Sequence, residues 1–307
     1  MKRRSFIKNS MLGATALSAS PLLGSIIPAK PLKISLAQWS LHRNFQAGKL
    51  DPADFAAIAR ERYGIEAVEY VNGFYSAHAE DETFWKQLKG RADQAGIKNL
   101  VIMVDDEGEL GSADKSARMQ AIENHYKWLH AARILGCHSI RVNAFGDADR
   151  ETYRTALIDG MSRLAEYAAT MELNVIIENH GLFSSDAALI AGIIKEVNMP
   201  NFGAFPDFGN WCLSAKWGST QGACEQMYDR YRGVAELLPY AKAVSAKSYN
   251  FNEQGEDTTI DYYKMLKIVK ESSYEGYIGI EYEGLEKGEH EGILMTKALM
   301  EKAWSGI

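Results

Sequence analysis

From residue 32 to the C-terminus, short apolar runs alternate with longer stretches in which apolar residues return every three or four positions. The runs cover residues 32–39, 66–71, 99–104, 138–143, 174–178, 202–207, 243–247 and 277–281. Each is short and mostly apolar, as expected of parallel strands covered on the outside by helices. The spacing between them predicts a helix with Met119, Ile122, Tyr126, Leu129 and Ala132 on one face, stopped by Gly136. A second helical face carries Leu157, Met161, Leu164 and Ala168, and Asp51-Pro52 and Asp186 stand where helices start. Eight strand–helix units in series, without a linker or a shift of composition, predict one α/β domain over residues 31–307. The predicted fold is a closed (β/α)8 TIM barrel. The rival, an open doubly wound sheet, carries a glycine-rich phosphate turn after its first strand, and Trp39-Ser40-Leu41-His42 is no such turn.

Residues 1–30 break this pattern. Lys2, Arg3 and Arg4 precede Ser5-Phe6-Ile7-Lys8 and a mild apolar stretch over 11–27, rich in Ala, Gly and Ser. That order resembles a twin-arginine (Tat) signal peptide, which implies export by the Tat machinery of an already folded protein to the periplasm. Pro21, Pro28 and the many small residues make it a poor spanning helix. Cys137, Cys212 and Cys224 are odd in number and lack C-x-x-C spacing, so they are expected as buried small hydrophobes and not as a disulfide framework. With 34 basic against 40 acidic residues and a net charge of −6, the chain lacks the positive field that nucleic acid requires. The balance favours a small-molecule substrate and leaves the oligomeric state open.

Barrel sites form at the C-terminal ends of the strands. Three runs end there in a carboxylate: Val175-Ile176-Ile177-Glu178-Asn179-His180, Phe205-Pro206-Asp207-Phe208-Gly209-Asn210 and Ile278-Gly279-Ile280-Glu281-Tyr282-Glu283. An acid at the end of an apolar strand is costly to bury without a cation or donor beside it. Three at one mouth repel one another, and a shared divalent cation is the simplest remedy. An all-carboxylate set suits Mg²⁺ or Mn²⁺, with Zn²⁺ or Co²⁺ as alternatives.

Taken together, in this order and at strand ends, these motifs resemble the sugar phosphate isomerase/epimerase family. That family shares the xylose isomerase-like barrel with ketose 3-epimerases and, more distantly, endonuclease IV. The resemblance implies metal ligands at Glu178, Asp207 and Glu281, and a fourth at Ser245, where the family has His. Residues 243–248 match the family's His-x-Lys-Asp pattern with Ser245 for the His and Ser248 for the Asp. Three outcomes follow: three protein ligands with more water, a recruited neighbour such as His180, or no metal.

The implied activity is a metal-assisted isomerase or epimerase, or a related lyase, acting on a sugar or keto-sugar through an enediolate. Glu178 and Glu281 would exchange protons on opposite faces of one carbon. Lys247 shares the face of Ser245 by strand alternation and is a candidate catalytic cation. His180, Asn210, Trp39, Arg141 and Asn143 are candidate substrate contacts, joined at the mouth by Glu69, Asn72 and Trp211. Asn210 stands where ketose epimerases often place a His. No Lys or Arg cluster ends the seventh and eighth strands, which favours an unphosphorylated substrate. The alternative, from another class, is an exported carbohydrate-binding protein whose metal site has degenerated.

Overall fold

A computed structural model of the chain describes residues 30–307; the twin-arginine motif lies outside them. Eight strands follow one another: β1 (Ile34–Ala37), β2 (Ala67–Val71), β3 (Lys98–Val104), β4 (Ser139–Asn143), β5 (Asn174–Glu178), β6 (Phe202–Phe205), β7 (Val244–Ser248) and β8 (Ile278–Tyr282). Between and after them run α1 (His42–Gln46), α2 (Phe55–Tyr63), α3 (Glu82–Gln94), α4 (Lys115–Leu135), α5 (Arg150–Ala169), α6 (Ala187–Val197), α7 (Arg230–Leu237), α8 (Tyr262–Glu271) and α9 (Glu289–Gly306). Among the described residues no helix is long and apolar enough to cross a membrane.

The strands pair in parallel in the order β6-β5-β4-β3-β2-β1-β8-β7. The remaining seam, between β6 and β7, is closed by isolated bridges. Lys242 N donates to Ala204 O, Ser245 N to Pro206 O and Phe208 N to Ser245 O. Pro206 has no N–H, so the sixth strand stops at Phe205, before Asp207, the end expected from the sequence. The first strand is also shorter than expected. Gln38 opens a 3-10 turn over Gln38–Leu41, and its side chain accepts from Val71 N and donates to Tyr75 Oη.

The helix signals map onto real caps. Asp186 accepts from Leu189 N at the start of α6, and Asp51 accepts from Ala53 N before a short 3-10 turn. Gly136 takes φ +77 at the end of α4, in the left-handed region that suits glycine. Leu157, Met161, Leu164 and Ala168 are fully buried in the layer between sheet and helices. A smaller apolar cluster that includes Ala67, Val101, Ile176 and Phe205 fills the inside of the barrel.

The cysteines depart from expectation. Cys212 and Cys224 form a disulfide within the long β6–α7 connection, which doubles back so that their Cα atoms lie 5.7 Å apart. The odd count concealed a pair plus a buried free thiol, Cys137.

Candidate active site

Register places the site. In parallel pairing Asn143 lies beside Glu178, and Lys247 beside Glu281, so each pair projects to the same face of the sheet. Glu178, Asp207 and Glu281 are buried, and one oxygen from each lies within 4.8 Å of the others. Asp207 Oδ1 accepts from the backbone N–H groups of Gly209 and Asn210 at 2.7 and 2.8 Å, which aims Oδ2 at Ser245 Oγ, 2.5 Å away. Ser245 Oγ is also 2.8 Å from Glu281 Oε2. A hydroxyl has one proton, so it donates to only one of the two acids at a time. Burial first, and then the charge of Glu281, push Asp207 up to about 7 against the pull of Lys247. Burial, with Glu281 and Asp207 adding to it, also drives Glu178 well above the carboxylate range despite Arg141.

Asn210 Nδ2 donates to Glu178 Oε1 at 3.0 Å, while its own Oδ1 is buried without a partner. Arg141 Nε lies 2.7 Å from Glu178 Oε2, a close ion pair whose N–H is not aimed at the oxygen, so neither atom has a hydrogen bond. An oxygen-only set of three acids, with buried oxygens of Glu178 and Asn210 unsatisfied, fits a hard divalent cation.

Two cations balance part of this charge. Arg141 Nη1 donates to Asp105 Oδ1 at 2.6 Å. Burial opposes ionisation of Asp105, but the Arg141 charge and the hydrogen bonds from Arg141 and Asn143 outweigh it and hold the carboxyl below its usual range. Lys247 Nζ sits 3.4 Å from Glu281 Oε1 and 3.2 Å from Glu283 Oε2. Burial disfavours its charge, yet Glu281, Glu283 and Asp207 together keep it firmly protonated.

The same network orients His180. Asn143 Nδ2 donates to Asp105 Oδ1 at 2.7 Å, so Asn143 Oδ1 faces His180 Nδ1 at 2.7 Å. The hydrogen-bond order assigns the proton to Nδ1 and leaves Nε2 as an acceptor. Burial, and then Arg141, keep the ring neutral.

Glu281, of the three acids, lines a cavity of about 640 Å³ together with Trp39, Arg141, His180 and Lys247, among others. Trp39 stacks on His42 at 4.5 Å, and its Nε1 donates to Glu283 Oε1 at 2.6 Å. Asn72 lines the cavity but spends its amide on the backbone N–H and C=O of Asp105. Glu69 lies on β2 inside the barrel, bonded to Ser35 Oγ at 2.7 Å. Trp211 does not reach the mouth: it is fully buried in the helical layer against Gly233 and Tyr228. Sequence reasoning missed Asp105, Glu283 and Trp217, all of which line the cavity. Glu283 was within reach of it, because alternation puts residues 281 and 283 on one face.

A family model described as xylose isomerase-like TIM barrel matches residues 56–299. No curated protein matches the sequence. Among solved structures, the chain is similar to 3-keto-D-glucoside 4-epimerase from E. coli, with 14% identity over 89% of this chain and 100% of that one and a TM-score of 0.66. D-psicose 3-epimerase from Clostridium cellulolyticum H10, solved with D-tagatose, aligns at 12% identity over 90% and 98% of the two chains, with a TM-score of 0.65. The IolI protein with a zinc atom aligns at 14% identity over 90% and 99%, with a TM-score of 0.67. Identities this low carry the fold and not the activity. Eight parallel strands and a family match across most of the length lead to one conclusion: the chain belongs to the xylose isomerase-like TIM barrels.

Proposed function

We propose that this protein is a metal-assisted epimerase or isomerase of an unphosphorylated keto-sugar, with Glu178, Asp207 and Glu281 as the metal ligands. The observation that carries the reading is the meeting of three buried carboxylates, from β5, β8 and the segment just past β6, within 4.8 Å. Its neighbours in fold include proteins named as 3-keto-D-glucoside 4-epimerase and D-psicose 3-epimerase, which supports a sugar as substrate. A bound Mg²⁺ or Mn²⁺ supplies a Lewis acid for adjacent carbonyl and hydroxyl oxygens.

The chain's own groups do the rest. Glu281 takes the proton from the carbon next to the carbonyl, and Glu178 returns one to the other face. Lys247 and Arg141 offset the negative charge of the enediolate, and neutral His180 accepts a hydrogen bond from a substrate hydroxyl through Nε2. A lyase branch uses the same first step and then expels a neighbouring substituent. The acids Asp105, Asp106, Glu107 and Glu283 around the cavity disfavour a phosphorylated substrate. The Arg3-Arg4 motif supports work in the periplasm after Tat export.

The test is incubation of Mn²⁺-loaded protein with free and glycosidic keto-sugars in D2O, read by NMR. The expected result is solvent deuterium at one sugar carbon, abolished by Glu178→Gln and by Glu281→Gln; near-normal turnover in either variant overturns the assignment. A second reading, a carbohydrate-binding protein without turnover, draws on Ser245, whose hydroxyl already links two of the acids. Failure to bind added Mn²⁺ would favour it.

A further inference from the structure

The mouth of the barrel holds a second chamber. A side cavity of about 190 Å³ shares Asp106, Glu107 and Trp217 with the main one and adds Phe145 and Lys216 to its wall. Two of the shared residues are in the left-handed region, Asp106 at φ 60 and Trp217 at φ 71. That conformation crowds the Cβ of an L-residue and persists only where the surroundings impose it.

Around Trp217 the imposing contacts are visible. The Cys212–Cys224 disulfide closes the segment that carries it. Leu182 N donates to Cys212 O, and Cys212 N to Gly218 O, which ties the segment to the turn after His180. The two turns press together so closely that a Cβ on Gly181 would lie 2.2 Å from Ala215 O, and one on Gly218 2.4 Å from Gly181 N. Thus two glycines and a disulfide hold the indole edge-on to His180 at 4.9 Å and to Phe145 at 5.3 Å. Even so, Trp217 is 38% exposed, a large apolar face on the rim of a polar site. Lys216 Nζ lies 4.7 Å from the Phe145 ring beside it.

We propose that this side chamber is a second sugar subsite, and that the substrate is a glycoside. Its reacting ring sits over the three acids, and its second ring lies on Trp217. The assignment rests on the reading of the main cavity as a sugar site. An indole face matches the C–H face of a sugar ring, while Asp106 and Lys216 offer an acceptor and a donor to the hydroxyls around its edge. The side cavity takes only about six waters at roughly 30 Å³ each, so the second ring occupies it together with the outer part of the main cavity, whose room for about twenty exceeds what one hexose of about twelve non-hydrogen atoms fills.

The experiment is calorimetric titration of the full chain in Mn²⁺ with glucose, galactose and fructose, and with lactulose, isomaltulose and turanose, keto-disaccharides that contain them. At least one disaccharide should bind about tenfold more tightly than either of its component sugars. Trp217→Ala should cut that ratio by about tenfold, Trp217→Phe should restore most of it, and Cys224→Ser should lower it in part. Equal affinity for disaccharide and monosaccharide in the unaltered protein, or an equal loss of both in Trp217→Ala, overturns the second subsite and leaves the first intact. Absence of any sugar binding overturns the main-cavity reading as well.

Discussion

Glu69→Gln isolates the energetic burden of one acid inside the barrel. Glu69 is fully buried; Oε1 accepts from Ser35 Oγ and Oε2 has no partner. Burial, with a smaller push from Glu281, raises its carboxyl to about 8 against a reference of 4.5, while Ser35 and Arg141 pull the other way. As pH rises past 4.5 the unfolded chain gives up this proton and the folded chain keeps it. The stability contributed by the protonated form is therefore complete below 4.5 and is lost progressively until pH 8. The slope is about 1.4 kcal/mol per pH unit, which sums to about 4 kcal/mol between pH 5 and 8 as an upper figure. Glutamine keeps the shape and the acceptor for Ser35 but cannot ionise. Its unpartnered amide costs about 1–3 kcal/mol at both pH values and cancels from the comparison. Urea unfolding of both proteins in EDTA at pH 5 and pH 8 should show the wild type losing about 2–4 kcal/mol more than the variant. Parallel pH dependence in the two proteins would refute a proton held on Glu69.

Three further outcomes are expected. Ser245→His, which puts an imidazole between Asp207 and Glu281, should raise Mn²⁺ affinity by at least about tenfold in titration calorimetry, since nitrogen is a far better ligand than a hydroxyl. Gly279→Ala should cost about 1–3 kcal/mol of stability, because the new Cβ would lie 2.6 Å from Glu69 Oε1. Adding Glu69→Ala to that variant should recover part of the loss. Saturating Mn²⁺ should raise the thermal midpoint of the wild type and leave that of Asp207→Asn nearly unmoved.

Strand ends were the most legible part of the chain. An apolar run that terminates in an acid can be read directly, and β5 occupies the span expected from its sequence. Alternation then put Lys247 in the site with Ser245. The same rule fails once the strand stops. Trp211 lies four residues past Asp207, in irregular backbone, and turns into the helical layer. Asp105 stands in an Asp-Asp-Glu run that reads as a solvated loop, and its pairing with Arg141 arises only when β3 and β4 are set side by side. The Cys212–Cys224 bond depends on a loop folding back on itself, which no spacing rule reports.

The β6–β7 seam gives the barrel an unusual dependency. Its last joint runs through Pro206, Phe208 and Ser245, so the clasp that closes the cylinder is made of the same backbone that presents Asp207. A cation gripped by Asp207 and Glu281 would act as a rivet across that clasp, tying occupancy of the site to the integrity of the whole wall. Amide hydrogens of Phe208 and Ser245 would then exchange more slowly with solvent once the rivet is in place, while those of β2 and β3, on the far side of the ring, would be indifferent to it.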